Sequence, residues 1–126
     1  MLDVFEHVED YFGFLRRCRV VADHFVFHIP LDANALTVVG SGCLAPRLAL
    51  GHLHYFTRAT ALATLRDTGY EPLHWHYTKA AWEGPGPGRN PWKLINIARR
   101  AMYIISPDYT SRVFGGLALL VVAKVT

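Results

Sequence analysis

Long apolar runs are missing from this sequence. The longest nearly uninterrupted one, Gly115 to Ala123, is less than half of the ~20 residues that a membrane-crossing helix requires. Cysteine is scarce as well: Cys18 and Cys43 stand in unrelated contexts, with no C-x-x-C and no histidine nearby at ligand spacing. Two lone thiols fit a reducing compartment, so a cytoplasmic protein is expected. No basic segment followed by an apolar stretch opens the chain, and no secretion signal is expected. Charge of one sign is not concentrated anywhere. The 13 Lys and Arg against 10 Asp and Glu give a net charge of +3, with basic pairs at Arg16-Arg17 and Arg99-Arg100 on otherwise apolar segments. A nucleic-acid footprint needs a denser basic stripe with aromatics interleaved, so these pairs read as solvated helix faces and no nucleic-acid partner is expected. A phosphate-binding glycine turn is also lacking. Gly84-Pro85-Gly86-Pro87-Gly88 does not replace one, because each proline removes a backbone donor that a cradle would use.

What is present is the composition of one globular domain: 126 residues, 52% apolar and 18% charged. No internal repeat or linker divides it. Met1 to Phe5 reads as the end of a buried strand with no polar lead-in, as if the chain were the later part of a longer protein. From His7 to Arg19, apolar residues at Val8, Tyr11, Phe12, Leu15 and Cys18 fall at helical spacing, with acids first and bases last as the helix dipole favours. His24 to Ile29 reads as a strand ended by Pro30, and residues 31–50 as a loop or short helix punctuated by Gly40, Gly42 and Pro46. Thr57 predicts the cap of a helix running to about Thr68 and stopped by Gly69. Tyr70 to Thr78 alternates loosely as a strand, with His74, Trp75, His76 and Tyr77 dividing between core and surface. Asn90-Pro91 opens a helix to about Ile105 that is apolar on much of its circumference, read as core or as a lid over an apolar substrate. Gly115 to Val125 closes the chain as a strand buried on both faces. Alternation of this kind predicts an α/β sandwich with a largely parallel sheet.

Three segments in this order resemble the C-terminal half of class I S-adenosylmethionine (SAM) dependent methyltransferases. Asp3-Val4-Phe5-Glu6-His7-Val8-Glu9-Asp10 with Phe14-Leu15 is similar to the stretch after their fourth strand. Phe27-His28-Ile29-Pro30 looks like the end of their fifth. Gly51-His52-Leu53-His54-Tyr55-Phe56-Thr57, then Leu65 and Gly69-Tyr70, is similar to the start and finish of their next helix, and Gly115-Gly116 looks like the start of their last strand. The resemblance implies a partial Rossmann-like sheet flanked by helices: a stub of the fourth strand, then the fifth, seventh and sixth, with the seventh antiparallel. Residues 24–29, 70–77 and 116–124 should therefore share one sheet, the last of them central. It also implies that the part of the domain gripping most of the SAM, with its glycine turn and ribose-binding acid, lies outside these 126 residues.

In α/β sheets ligands sit beyond the carboxyl ends of the strands. The resemblance thus places SAM against Asp3, Phe5, Glu6 and His7, and a methyl acceptor against Pro30, Asp32, His52, His54 and Tyr55. In some relatives a Glu-x-x-Glu-His run with a later histidine binds a divalent metal. Here the matching residues are Asp3, Glu6, His7 and His52, although the same run is widespread in relatives without a metal. No catalytic residue is assigned. The function expected is methyl transfer from SAM to a small molecule or other acceptor, with this segment inactive alone. The alternatives are a non-catalytic remnant, a subunit that assembles with a separate N-terminal half, or a small α/β binding module unrelated to SAM. An open sheet edge beside residues 24–29 predicts marginal stability and self-association.

Overall fold

The computed structural model describes residues 1–41, 43–79 and 92–126. The glycine–proline run at 84–88 and the helix start at Asn90-Pro91 lie outside the described residues. A 3-10 turn at Phe5–His7 leads into α1 (Tyr11–Cys18), β1 (His24–Pro30), α2 (Ala35–Ser41), α3 (Leu44–Leu50) and α4 (Arg58–Asp67). There follow β2 (Tyr70–Thr78), α5 (Trp92–Ile105), α6 (Pro107–Val113) and β3 (Ala118–Val125).

Local chemistry sets most of these boundaries. Helix α1 begins at Tyr11 and not at His7, because the Asp10 carboxylate accepts from the Gly13 amide and caps it there. Thr57 caps α4 in a reciprocal box with Thr60, and Gly69 follows with φ 88°. Within the segment read as a loop or short helix lie two short helices, α2 and α3, the first capped by Asn34, whose side-chain oxygen accepts from the Thr37 amide at 2.9 Å. The unread segment after Ile105 is α6, capped by Ser106 with Pro107 in its first turn.

The three strands form one sheet in the order β1-β3-β2. β3 lies between the other two and runs antiparallel to both, pairing Phe27 with Val121 on one side and Trp75 with Val121 on the other. This is the arrangement expected of residues 24–29, 70–77 and 116–124. The largely parallel sheet read from the alternation is not what forms, because the central position goes to the reversed last strand. The one parallel pairing among the described residues is the bridge between Leu2 and His28, where Asp3 N donates to His28 O at 3.0 Å and His28 N to Met1 O at 3.0 Å.

One sheet face carries the core. Phe27 and Ile29 of β1 and Leu119, Val121 and Ala123 of β3 pack against Leu15 of α1 and Ala61, Leu62 and Leu65 of α4. Tyr70 sits edge-on to Phe27, with centroids 5.1 Å apart, and its hydroxyl donates to the Leu15 carbonyl at 2.7 Å. Fully burying such a side chain stabilises by ~1.5–3 kcal/mol. α1 and α4 cover the same face, so β3 is not buried on both sides: Val122, and Val26 beside it, remain exposed on the other. Leu73 to His76 are exposed in succession, so β2 does not divide between core and surface. It is an edge strand with a register shift between Pro72 and His74.

Two further expectations are corrected. Leu2 is 60% exposed and Val4 is exposed as well; of Leu2, Val4 and Phe5, Phe5 is the buried one, since the chain turns into the 3-10 turn instead of extending. α5 is not core either, with Leu94, Ile97, Ile104 and Ile105 exposed. Its buried described residue is Arg99, whose guanidinium donates to the Phe114 carbonyl at 2.8 Å and fastens α5 to the approach of β3. Gly115 and Gly116 have φ of 62° and 74°, and side chains of Asn34 and Arg99 fill the space a Cβ would take, which is why two glycines stand there.

Candidate functional site

The carboxyl end of β1, the 3-10 turn and the loop after α3 meet on one side of the sheet. The order of elements explains the meeting. Asp3 and the turn follow the segment bridged to β1, and Gly51 at φ 74° ends α3 and sends the chain back across the turn. Leu53 N and His54 N both donate to the Glu6 carbonyl, at 2.8 and 3.1 Å, so the loop is clamped on the turn.

A cavity of about 290 Å³ opens here, lined by Asp3, His28, Pro30, Asp32, Leu50, His52, Gly116 and Leu117. Four of the residues expected at a ligand, Asp3, Pro30, Asp32 and His52, are therefore brought together. Each carboxylate is paired with an imidazole. Asp3 Oδ1 lies 2.8 Å from His28 Nδ1, and Asp32 Oδ2 lies 2.5 Å from His52 Nδ1. The other His28 nitrogen is 2.8 Å from Thr78 Oγ1.

Behind His52 lies a second cluster. Its ring stands edge-on to that of His7, with centroids 4.8 Å apart, and one ligand-type atom from each of Glu6, His7 and His52 lies within 4.8 Å of the others. Glu6 is 1% exposed, and neither of its carboxyl oxygens has a well-formed hydrogen bond. Burial pushes this carboxyl above the ordinary carboxylate range and the Asp3 charge adds to the rise, while its own backbone amide, then His7 and His52, pull the other way. His7 Nδ1 lies 3.1 Å from the Gly51 carbonyl, and its Nε2 is 3.8 Å from Glu6 Oε1.

Not every expected residue reaches the site. Phe5 is buried among Tyr11, Phe27 and Phe56, so its ring belongs to the core and is closed to a cofactor. His54 gives its Nε2 to the Val8 carbonyl at 2.9 Å and packs on Tyr11, a structural placement. Tyr55 is half-buried and does not line the cavity. Asp3 is held by His28 and is not in the Glu6–His7–His52 cluster. His28, which sequence reading passed over, has a signal in the strand itself: period two sets it opposite Phe27 and Ile29, on the side away from the core.

The fit to SAM is partial. Of Asp3, Phe5, Glu6 and His7, Asp3 alone lines the cavity, whose volume lies just below the ~300–1,000 Å³ usual for ligand pockets. These residues can wall one end of a ligand and do not enclose a whole nucleoside sulfonium. Among the described residues, no helix is long and apolar enough to cross a membrane. Compared with protein-family models and with curated protein sequences, the chain has no significant match.

Proposed function

We infer that this chain is the C-terminal part of a SAM-dependent methyltransferase domain of Rossmann-like topology, and that it forms the acceptor side of the site. The observation that carries the reading is the sheet: the last strand runs between two earlier ones, antiparallel to both, with a cavity that Asp3, His28, Asp32 and His52 help to line at the carboxyl end of β1. Ligands of α/β sheets bind at that end. Methyl transfer from a sulfonium asks mainly for alignment of the acceptor and acceptance of its proton. Asp3 and Asp32, each steadied by an imidazole, supply acceptors for a hydroxyl or amine at the mouth of the cavity.

The experiment is a calorimetric titration with SAM of the 126-residue chain and, in parallel, of a polypeptide extended by the upstream coding sequence. Weak or no binding by the first and clear binding by the second is expected. Absence of binding by both overturns the reading. A second reading, a subunit that assembles with a separate N-terminal half, draws on the exposed Val26 and Val122 of the uncovered sheet face. It expects SAM binding only when the two chains are mixed.

A further inference from the structure

We propose that the layer formed by α5, α6, α2 and α3 docks on the surface of an anionic lipid bilayer, with α5 lying along it by an apolar stripe. Docking of this kind is independent of the reaction that the cavity serves.

The stripe is set by spacing. Leu94, Ile97, Ala101 and Ile104 follow one another at intervals of three and four residues, which keeps them on one side of α5, and Ile105 adjoins them. Leu94, Ile97, Ile104 and Ile105 are 76, 65, 86 and 79% exposed, so this side faces solvent. The opposite side holds Arg99, buried against the approach to β3. α5 packs on α6, α6 on α2, and α2 on α3. Each neighbour adds a large exposed apolar side chain: Tyr109 on α6, Val39 on α2 and Leu48 on α3. Monomeric proteins seldom leave that much apolar surface bare.

Charge identifies the partner. The sequence has no acidic residue between Asp32 and Asp67 or between Glu83 and Asp108, the two stretches that supply α2, α3 and α5. Basic residues do occur there, with Arg47 exposed on α3 and Arg100 exposed on the flank of the α5 stripe. α6 brings one acid, Asp108, whose charge is matched within the chain: Arg112 Nη2 is 2.8 Å from its Oδ2 and Arg58 Nη2 is 3.3 Å from its Oδ1. A second copy of this layer would set like charges against each other with no acid to answer them. A bilayer rich in anionic headgroups satisfies both features. Aliphatic side chains enter the boundary between headgroups and acyl chains, while flanking guanidiniums reach the phosphates from stems laid along the apolar surface. With 14 residues, α5 is too short to cross and lies in the plane of the surface. Leu50, exposed at the end of α3, also lines the cavity, so the docked chain holds the cavity mouth near the lipid.

The test is co-sedimentation of the 126-residue chain with vesicles of phosphatidylcholine alone and of phosphatidylcholine mixed with phosphatidylglycerol. Binding to the mixed vesicles, ~tenfold or more above that to the neutral ones and weakened by salt, is expected. Ile104→Asp should lower it by at least ~tenfold and Arg100→Glu by ~fivefold. Val20→Asp, at an exposed valine between α1 and β1, should leave it unchanged. Equal binding to both vesicle types, none to either, or a loss in Val20→Asp as large as in Ile104→Asp overturns the proposal. So does a native dimer, seen by sedimentation velocity without lipid, that Ile104→Asp dissociates while the vesicles capture neither protein; the stripe then covers a second copy. Hydrogen exchange of the native chain needs no variant. Mixed vesicles should slow exchange of the α5 amides and leave those of α1 unchanged, and the reverse pattern refutes the surface.

Discussion

Asp3 and His28, 25 residues apart in sequence, are joined by a 2.8 Å contact between Oδ1 and Nδ1, and this contact withholds Asp3 from the Glu6–His7–His52 cluster. Asp3 has φ 48°, a conformation that asparagine adopts readily, so Asp3→Asn removes the charge without straining the backbone. The stability loss of Asp3→Asn, read by urea unfolding, should be ~0–1 kcal/mol, as for a half-exposed pair. A loss well above that range would show that the charge pair, and not the backbone bridge at Leu2, holds the turn on β1.

Alkaline pH should loosen the fold through two tyrosines. Burial raises the Tyr70 hydroxyl to about 12, and burial with the Asp108 hydrogen bond raises Tyr77 to about 12, from an ordinary 10.0. Above pH ~10 the unfolded chain releases protons that the folded chain keeps, so stability falls as pH climbs toward 12. Urea midpoints measured from pH 8 to 12 should decline over the upper part of that range, and less steeply for Tyr77→Phe. A flat profile in the native chain contradicts the burial assigned to both rings.

At neutral pH, Tyr70→Phe should cost ~1–3 kcal/mol, because it leaves the buried Leu15 carbonyl without its donor. Equilibrium urea unfolding measures it directly. An unchanged midpoint would mean that water reaches that carbonyl.

Gly115→Ala tests the approach to β3. The new Cβ would lie 2.3 Å from Asn34 Nδ2, at φ 62°. Left-handed backbone costs a non-glycine residue ~1–2 kcal/mol, and displacing Asn34 removes a helix cap of typically ~1 kcal/mol. Destabilisation of at least ~1 kcal/mol is expected on thermal unfolding, with the amide of Thr37 losing hydrogen-exchange protection. Retained protection at Thr37 would show that Asn34 does not move.

Self-association is expected through the uncovered side of the sheet. Val26 and Val122 are 45% and 37% exposed, and β1 is bridged on its free side by Leu2 alone among the described residues. Sedimentation velocity should report rising mass with concentration, and Val26→Lys should suppress it. A native chain that stays monomeric at high concentration removes this expectation.

Elements marked by short-range chemistry were legible from sequence. Thr57 announced α4, the alternation of Phe25, Phe27 and Ile29 announced β1, and the Gly115-Gly116 pair announced β3. Burial was less legible. The apolar faces of α5 and the second face of β3 read as core because periodicity shows which side chains could be buried, not whether anything covers them. The site was legible as a neighbourhood and not as a set of partners. Asp3, Asp32 and His52 line one cavity, yet which carboxylate meets which imidazole depends on a bridge at Leu2 and on the loop after Gly51. Phe5 shows the converse, since a residue inside a recognisable motif can serve only packing.

The Glu6 carbonyl, which receives the amides of both Leu53 and His54, has a consequence for motion. His7 follows Glu6 directly and His52 precedes Leu53, so one peptide unit is the shared hinge pin for both imidazoles. Neither ring can be carried far by its own backbone while that pin holds, and once it slips the two are released together. A contact that holds either histidine in place therefore also holds the loop after α3 against the 3-10 turn.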